Sequence, residues 1–183
     1  MIRLHCTKKL LAKLPLLEDG RLRSRKPALS VVRDPATNPL SDWHANLVLL
    51  QRRQCVLFVH DTTRFPVFVP ALKKPDFAEL DWFFQDVFLN TLLKVGAEDR
   101  HMKAAEKWLA PLLCDNDCNR SVQGTLNQMG QELPFFVEGH ELDIAELSPY
   151  HTGAWLAHRP TSIKGRDYIW PDEDMLKLLE NPL

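Results

Sequence analysis

The clearest alternation of apolar and polar positions runs from residue 42 to residue 70. Aromatic and branched side chains recur there in three runs, and two short turns separate the runs. A period of two is typical of β-strands, because successive side chains point to opposite faces of a sheet. Arg52-Arg53 marks the first turn, and Asp61-Thr62-Thr63 has the length of a hairpin loop. The pattern predicts a three-stranded meander.

Two details of this meander predict its surroundings. The second run, from Cys55 to His60, is apolar on both faces. Both faces of the sheet are therefore expected to be covered by helices. Pro66 lies in the third run and has no N–H for a ladder hydrogen bond, so that strand is predicted to lie at an edge.

Helical periodicity follows the meander. Apolar positions recur at helical spacing between Pro75, which suits a helix start, and Gly96, which suits a helix end. Further helices are predicted at residues 98–113 and 121–131, and a short last helix is predicted to begin at Pro171.

The N-terminal part of the chain is less regular. A short strand is predicted at residues 1–5, and a helix capped by Thr7 is predicted to reach Leu14. Residues 16–41 form a connection that is long for a compact domain. The segment Leu29-Ser30-Val31-Val32 within it is a candidate short edge strand.

Together these elements predict an α+β fold, in which an antiparallel sheet containing the meander at about 42–70 is covered by helices. The length suits a single domain spanning residues 1–183. Its C-terminal part, from about residue 138, is predicted to be a loop-rich extension. A hydrophobic fraction of 45% is sufficient for a core without disulfides at this length.

No signal for export or membrane insertion is evident. The first residues lack the apolar core of a signal peptide, and no apolar run approaches the roughly 18 residues of a membrane span. We therefore expect a cytoplasmic protein with no membrane partner and with reduced thiols. Cys6 and Cys55 lie in strand-like apolar surroundings and are expected in the core.

Charge is distributed unevenly along the chain. Residues 1–33 hold nine Lys and Arg against two acids, a net charge of +7, although the whole chain carries −1. This asymmetry favours a nucleic acid or an acidic protein as a partner for residues 1–33. A solvated basic segment lying over an acidic body would give the same pattern.

Four sequence blocks resemble one known family. The blocks are Thr7-x-Lys9-Leu10-Leu11, Asp42-Trp43-x-Ala45-Asn46-Leu47, Arg52-Arg53-x-Cys55-x-Leu57-Phe58-Val59 and Asn119-Arg120-Ser121-Val122-x-Gly124-x-x-Asn127. In this order, over roughly residues 1–130, the chain is similar to an uncharacterised bacterial domain-of-unknown-function family. The resemblance implies bacterial origin and a shared fold, and it implies no reaction.

The last block is the strongest candidate for a binding site. Asn119 or Ser121 can cap a helix, whose positive end then presents free N–H groups. Arg120 adds a guanidinium suited to phosphate or carboxylate, and Asn127 falls near the same face. Gly124 costs about 1 kcal/mol relative to Ala within a helix, which predicts close approach of a ligand or another backbone. The block predicts an anion site; a helix cap, a surface arginine and a tight helix–strand contact would also explain it.

A second candidate lies in the meander. Asn46 interrupts an apolar strand, and a buried amide needs hydrogen-bond partners. Asn46 and the nearby Trp43 are therefore candidate ligand contacts. A purely structural role for Asn46 is the alternative.

Recognisable motifs for metals, cofactors and catalytic machinery are missing. Cys114 and Cys118 have loop-like spacing, but neither a second closely spaced Cys pair nor a close His pair completes a tetrahedral set. The chain has no phosphate-cradling Gly-rich loop and no nucleophile elbow. We therefore expect no metal and no cofactor. Catalytic residues stay unassigned, with His60 and His151 as candidates for acid–base work.

Three functions remain open at this point. The first is a non-enzymatic binding or regulatory module for an anionic partner, attracted by residues 1–33 and recognised by residues 119–127. The second is an enzyme acting on a phosphorylated or nucleotide-like small molecule that Arg120 holds. The third is a structural oligomer, such as a homodimer. Its interface would use three apolar helix residues: Trp82, Phe83 and Leu89.

Overall fold

Five strands form one sheet in the computed structural model, which describes residues 1–24, 35–163 and 168–180. The order across the sheet is β4-β3-β2-β1-β5. The strands are β1 (Ile2–Cys6), β2 (Trp43–Leu50), β3 (Arg53–His60), β4 (Pro66–Leu72) and β5 (Leu112–Asp115).

Six α-helices accompany these strands within the same ranges. They are α1 (Lys8–Leu11), α2 (Leu80–Lys94), α3 (Asp99–Trp108), α4 (Arg120–Gly139), α5 (Pro149–Ala157) and α6 (Pro171–Glu180). Short 3-10 turns lie at Pro35–Thr37 and Lys74–Glu79. In the described part of the chain, no helix combines the length and the apolarity that crossing a lipid bilayer requires.

The predicted meander is confirmed. β2 pairs antiparallel with β3, which in turn pairs antiparallel with β4. Pro66 of β4 lies opposite Val59 of β3, and β4 is an edge strand of the sheet. The missing N–H of Pro66 therefore predicted its position correctly.

The sheet as a whole is mixed, which corrects the prediction of an antiparallel sheet. β1 is parallel to β2 on one side and to β5 on the other. The prediction missed β5 because Leu112 and Leu113 continue the apolar spacing of the helix before them. In the structure α3 ends at Trp108, and Pro111 follows, a residue that cannot extend a helix. The four residues of β5 come immediately after it.

Helices cover both faces of the sheet, as the two-sided meander predicted. On one face, Val56 and Phe58 join a core cluster with apolar residues of α2, α3 and α6. Trp43 belongs to this cluster and lies edge-on to Phe84 at 4.9 Å between ring centroids. On the other face, Leu57 and Val59 pack in a second cluster with apolar residues of α4.

Helix ends agree with prediction where a local signal exists. Gly96, at a positive φ of 89°, follows the end of α2, and α6 begins at Pro171. α4 runs eight residues beyond its predicted end at residue 131, with Pro134 inside the helix. α5 was not predicted, although Ser148 and Pro149 form a recognisable helix start in which Ser148 accepts the N–H of His151.

Two further predictions concern a short edge strand and a dimer interface. The candidate strand at residues 29–32 lies outside the described residues. Of the three residues predicted at a dimer interface, Trp82 is 45% exposed, whereas Phe83 and Leu89 pack partly buried against the core. The homodimer stays a prediction.

Candidate functional site

A row of polar side chains crosses the sheet where β1 and β5 end. His5 lies opposite His44 of β2 on one side and opposite Asp115 of β5 on the other. The rings of His5 and His44 are 4.9 Å apart between centroids. Because residues that pair across strands share a face of the sheet, these side chains meet on the face that α4 covers.

His5 is oriented by a carboxylate. Its Nδ1–H donates to Oδ1 of Asp115 at 2.6 Å, since a carboxylate can only accept. The same Oδ1 accepts the backbone N–H of Asp117 at 3.0 Å, which fixes the loop after β5. The His5 side chain is 10% exposed, and its Nε2 lies 3.8 Å from Oδ1 of Asp42. No described residue makes a hydrogen bond to this nitrogen, which is therefore available for chemistry.

Asp42 supplies a second carboxylate beside His5. Its Oδ1 is buried and makes no hydrogen bond with a described residue, although Nη1 of Arg3 lies 3.4 Å away. Asp42 has a positive φ of 65°, a conformation that Asp tolerates better than most residues. The imidazole of His5 thus lies between the carboxylates of Asp42 and Asp115.

His44 has a different role, because both of its ring nitrogens are used. Nδ1–H donates to Oδ1 of Asp61 at 2.7 Å, and Nε2 accepts the backbone N–H of Asn119 at 2.8 Å. This pattern requires a neutral ring with its proton on Nδ1. His44 is therefore a structural link between β2, the hairpin after β3 and the start of α4.

A cavity of about 290 Å³ opens beside this polar row. We call it the His5 cavity. Its walls come from the end of β1, the start of α1, the start of β2, the loop after β5 and one face of α4. The lining residues are His5, Cys6, Thr7, Lys8, His44, Ala45, Asn116, Asp117, Cys118, Gln123 and Leu126. The carboxyl ends of parallel strands are a common position for ligands in sheets that contain them.

The six residues predicted at binding sites do not line this cavity. Four of them belong to the start of α4. Asn119 caps α4 by accepting the N–H of Ser121 at 3.0 Å, and the hydroxyl of Ser121 accepts a hydrogen bond from Nη2 of Arg64 at 3.2 Å. Arg120 and Asn127 are exposed. Their role in binding stays a prediction, and the contacts of Asn119 and Ser121 are those of a helix start.

The other two predicted contacts lie in β2. Trp43 is fully buried in the core and donates Nε1–H to the carbonyl of Leu40 at 2.7 Å. The side-chain oxygen of Asn46 accepts the hydroxyl of Thr7 at 2.9 Å. This contact gives Asn46 the structural role that was the alternative to ligand binding, and it connects β2 to the start of α1.

Gly124 corrects one prediction about α4. A Cβ at this position would meet nothing within 4 Å, so neither a backbone nor a side chain approaches it closely. The tight helix–strand contact that the glycine suggested is absent here. Gly130 of the same helix would place a Cβ 3.8 Å from Cγ2 of Val48 in β2, an ordinary contact distance.

The other titratable candidates lie outside the cavity. His60 is fully buried on the opposite face of the sheet, where it pairs with Trp43, and burial lowers its pKa to about 4. His151 is exposed at the surface of α5. Cys6 and Cys55 are buried in the core, as predicted, whereas Cys118 is exposed at the rim of the His5 cavity.

Sequence reasoning missed the residues that build the site: His5, Asp42, Asp115 and Asp117. A usable signal was present after Pro111. Three apolar residues, from Leu112 to Cys114, are followed there by a mainly polar stretch from Asp115 to Asn119. Polar residues that directly follow a strand are candidates for a site at the edge of a sheet.

A second cleft, of about 330 Å³, lies between α4 and α5. It is mainly aromatic, since Phe136 and Trp155 face each other at 4.6 Å between centroids. Arg159 lies over Trp155 at 4.8 Å and also pairs with Glu132 at 3.2 Å. The charged groups of this cleft, Glu132 and Arg159, are thus paired with each other. In the His5 cavity, Lys8 and Asp117 make no ion pair with a described residue.

The class of protein follows from these observations: an α+β domain with a mixed sheet and a polar cavity at the ends of two parallel strands. Residues 3–174 match the family described as "Domain of unknown function (DUF6933)", and the chain belongs to this family. The match confirms the resemblance to an uncharacterised domain family and extends it beyond residue 130. No curated protein and no solved structure matches the chain.

Proposed function

We propose that this protein binds a small polar molecule in the His5 cavity. The observation that carries the proposal is the state of His5, a nine-tenths buried side chain whose Nε2 makes no hydrogen bond with a described residue. Buried polar groups normally have partners. A ligand in the cavity that reaches Nε2, which lies 3.8 Å from Oδ1 of Asp42, would provide one, and the hydrogen bond from Nδ1 to Asp115 holds the ring in position for it.

The size of the cavity favours a small molecule. A volume of about 290 Å³ is at the lower end of the range for small-molecule sites. Lys8 and Asp117 line the cavity with charges of opposite sign. A ligand with both hydrogen-bond donors and acceptors fits this lining best.

A thermal-shift screen tests the proposal. Sugars, amino acids, carboxylic acids, nucleotides and sugar phosphates would be tested against the wild-type protein in EDTA. A true ligand is expected to raise the melting temperature of the wild type, because a molecule that binds the folded state stabilises it. The shift should disappear in His5→Ala and decrease in Lys8→Ala.

Lys9→Ala is the matched control for Lys8→Ala. The two lysines are neighbours in α1 and both are exposed, but Lys9 does not line the cavity. Ligand shifts should therefore be unchanged in Lys9→Ala. If no compound stabilises the wild type, or if every hit keeps its full shift in Lys8→Ala and His5→Ala, the proposal is wrong.

Each confirmed ligand should also be incubated with the protein and analysed by mass spectrometry. If the wild type converts the ligand and His5→Ala does not, the protein is an enzyme in which His5 accepts or donates a proton. Binding without conversion would make it a binding module.

A second function, binding of an anionic macromolecule, is supported by α1 and the turn after it. Lys8, Lys9 and Lys13 are exposed and make no ion pair with a described residue. They belong to the basic residues 1–33, of which residues 25–33 lie outside the described part. The carboxylate of Asp117 lines the same cavity as Lys8 and would repel a polyanion, so the small-molecule proposal takes precedence.

Fluorescence anisotropy with single- and double-stranded 20-mer oligonucleotides tests this second function. Replacing Lys8, Lys9 and Lys13 together by Ala should weaken the binding. The affinity of the wild type should fall steeply between 50 and 200 mM salt, by about 10-fold or more, because bound cations are released from the nucleic acid. Salt-independent binding, or none at low salt, would exclude it.

A further inference from the structure

We propose that the His5 cavity contains a binding site for a divalent transition-metal ion, formed by His5, Asp115 and Asp117. One ring nitrogen and one oxygen from each carboxylate lie within 4.8 Å of one another. The inference deepens the proposed function, because the ion would occupy the same cavity as the small molecule.

The spacing of the three groups suits coordination after a small movement. With metal–ligand bonds of about 2.1 Å at tetrahedral angles, two ligand atoms of one ion are ~3.4 Å apart, so the most distant pair would approach by up to ~1.4 Å. Nδ1 of His5 and Oδ1 of Asp115, now 2.6 Å apart, would separate slightly to admit the ion. Asp117 is exposed and lies in the loop after β5, so its side chain can rotate without disturbing the core.

An independent observation comes from the opposite side of the imidazole. Without an ion, the proton of His5 is on Nδ1 and donates to Asp115. Nε2 then faces Oδ1 of Asp42 at 3.8 Å, and this oxygen is buried without a hydrogen bond to a described residue. Two acceptors therefore face each other with no proton between them.

Metal binding would resolve this conflict. An ion bound by Nδ1, Asp115 and Asp117 would take the place of the single ring proton on Nδ1, and the ring would carry its proton on Nε2 instead. Nε2–H can then donate to Oδ1 of Asp42, which also lies 3.4 Å from Nη1 of Arg3. A histidine that binds a metal with one nitrogen and donates to a carboxylate with the other is a frequent arrangement in metal sites.

The ligand types indicate the kind of ion. One imidazole and two carboxylates suit Zn²⁺ or Mn²⁺, whereas Mg²⁺ prefers oxygen ligands and water. A charge of +2 would also compensate the carboxylates of Asp42, Asp115 and Asp117, which outnumber the neighbouring cations Arg3 and Lys8.

Isothermal titration calorimetry of tag-free, EDTA-treated protein tests the site. Zn²⁺ or Mn²⁺ is expected to bind with a stoichiometry of one, and Mg²⁺ more weakly. Asp117→Asn should reduce the affinity by at least about 10-fold. Asp117 is exposed, so this variant should remain folded; Asp99→Asn, an exposed aspartate at the start of α3, is the matched control and should bind as the wild type does.

A second measurement follows the proton itself. Long-range ¹H–¹⁵N spectra should place the proton of His5 on Nδ1 without metal and on Nε2 after Zn²⁺ is added. A doubly protonated His5 that does not respond to metal would also satisfy both carboxylates, and this result would overturn the proposal.

Cys118→Ser separates the proposed site from adventitious binding by the exposed thiol at the cavity rim. The proposal requires that this variant keeps the metal affinity of the wild type. Affinity that is lost in Cys118→Ser and kept in Asp117→Asn would contradict it. The screen for small molecules is run in EDTA, so a ligand found there together with a flat metal titration would overturn the metal site and leave the ligand site intact.

Discussion

Nε2 of His44 accepts a hydrogen bond from the backbone N–H of Asn119 at 2.8 Å, and the two residues are 75 positions apart in the sequence. The bond attaches the start of α4 to β2. Nδ1–H of the same ring donates to Asp61 at 2.7 Å, in the loop between β3 and β4. One buried side chain thus joins three segments beside the His5 cavity.

Replacing this ring should destabilise the fold. His44→Ala leaves the N–H of Asn119 and the carboxylate of Asp61 without their partner. We expect the free energy of unfolding to fall by about 2–3 kcal/mol, as measured by urea denaturation at pH 7.5. His151→Ala, which removes an exposed histidine, is the control and should change it by less than about 0.5 kcal/mol. Similar losses in the two variants would contradict the role of His44.

His60 should make stability depend on pH. Burial lowers its pKa from 6.5 to about 4 in the folded protein. Between these values the unfolded chain binds a proton that the folded protein excludes, so this contribution to stability rises with pH and is complete above about 6.5. The expected size is on the order of 3 kcal/mol.

His60→Asn removes the titrating ring and retains an acceptor for the N–H of Thr63, which His60 accepts through Nδ1 at 3.3 Å. Denaturation curves at pH 4.5 and 7.0 give the measurement. The wild type should lose more stability than the variant on acidification. An equal loss in both proteins would show that His60 does not titrate as a buried group.

Asp81 should have the opposite effect. Burial raises its pKa from 3.8 to about 6, and the neighbouring charge of Glu79 contributes in the same direction, although the carboxylate accepts the N–H of Leu112. Between these values the folded protein holds a proton that the unfolded chain has released. This contribution to stability is therefore present at low pH and is lost as the pH rises through about 6.

Asp81→Asn keeps an acceptor for Leu112 and cannot ionise. At pH 7.5 the variant should be more stable than the wild type, by up to about 2 kcal/mol after allowance for partial solvent access. At pH 4 the two proteins should have similar stability in urea denaturation. A variant that is less stable by the same amount at both pH values would rule out ionisation of Asp81 as the cause.

Gly153 allows α5 to approach α2 closely. A Cβ at this position would lie 2.9 Å from Oγ1 and 3.0 Å from Cγ2 of Thr91, a fully buried residue of α2. Gly153→Ala should therefore reduce the free energy of unfolding by about 1–3 kcal/mol through overpacking. Adding Thr91→Ala, which removes both contacting atoms, should recover part of the loss.

Gly124→Ala is the matched comparison, since a Cβ there meets nothing within 4 Å. Gly124 is the fifth residue of α4, and the change should stabilise the protein by about 0.5–1 kcal/mol, because alanine is the better helix former. Thermal and urea denaturation of both alanine variants provide the measurement. If both changes had the same sign, the close approach of α5 to α2 at Gly153 would not be a determinant of stability.

Local signals predicted much of the architecture. Alternation predicted the three strands of the meander, and Pro66 predicted the edge strand. Gly96 predicted the end of α2, and Pro171 predicted the start of α6. Each of these features depends on interactions between residues near one another in the chain. They are therefore visible in a short window of sequence.

The site could not be predicted in the same way. His5 and Asp115 are 110 positions apart, and they meet because β1 and β5 are parallel neighbours. Parallel strands are joined by long connections and carry no turn signal that identifies their partner. β5 was also hidden, because Leu112 and Leu113 continue the apolar spacing of the helix before it.

The sequence by itself determined the elements whose hydrogen bonds close locally: the meander, the helices that cover it and the caps that end them. Only the tertiary structure decided which strands lie beside β1, and with them which histidine and which carboxylates share a cavity. The physical reason is that a strand's backbone groups can pair with any extended neighbour. The choice among neighbours is made by packing of the whole chain rather than by residues nearby.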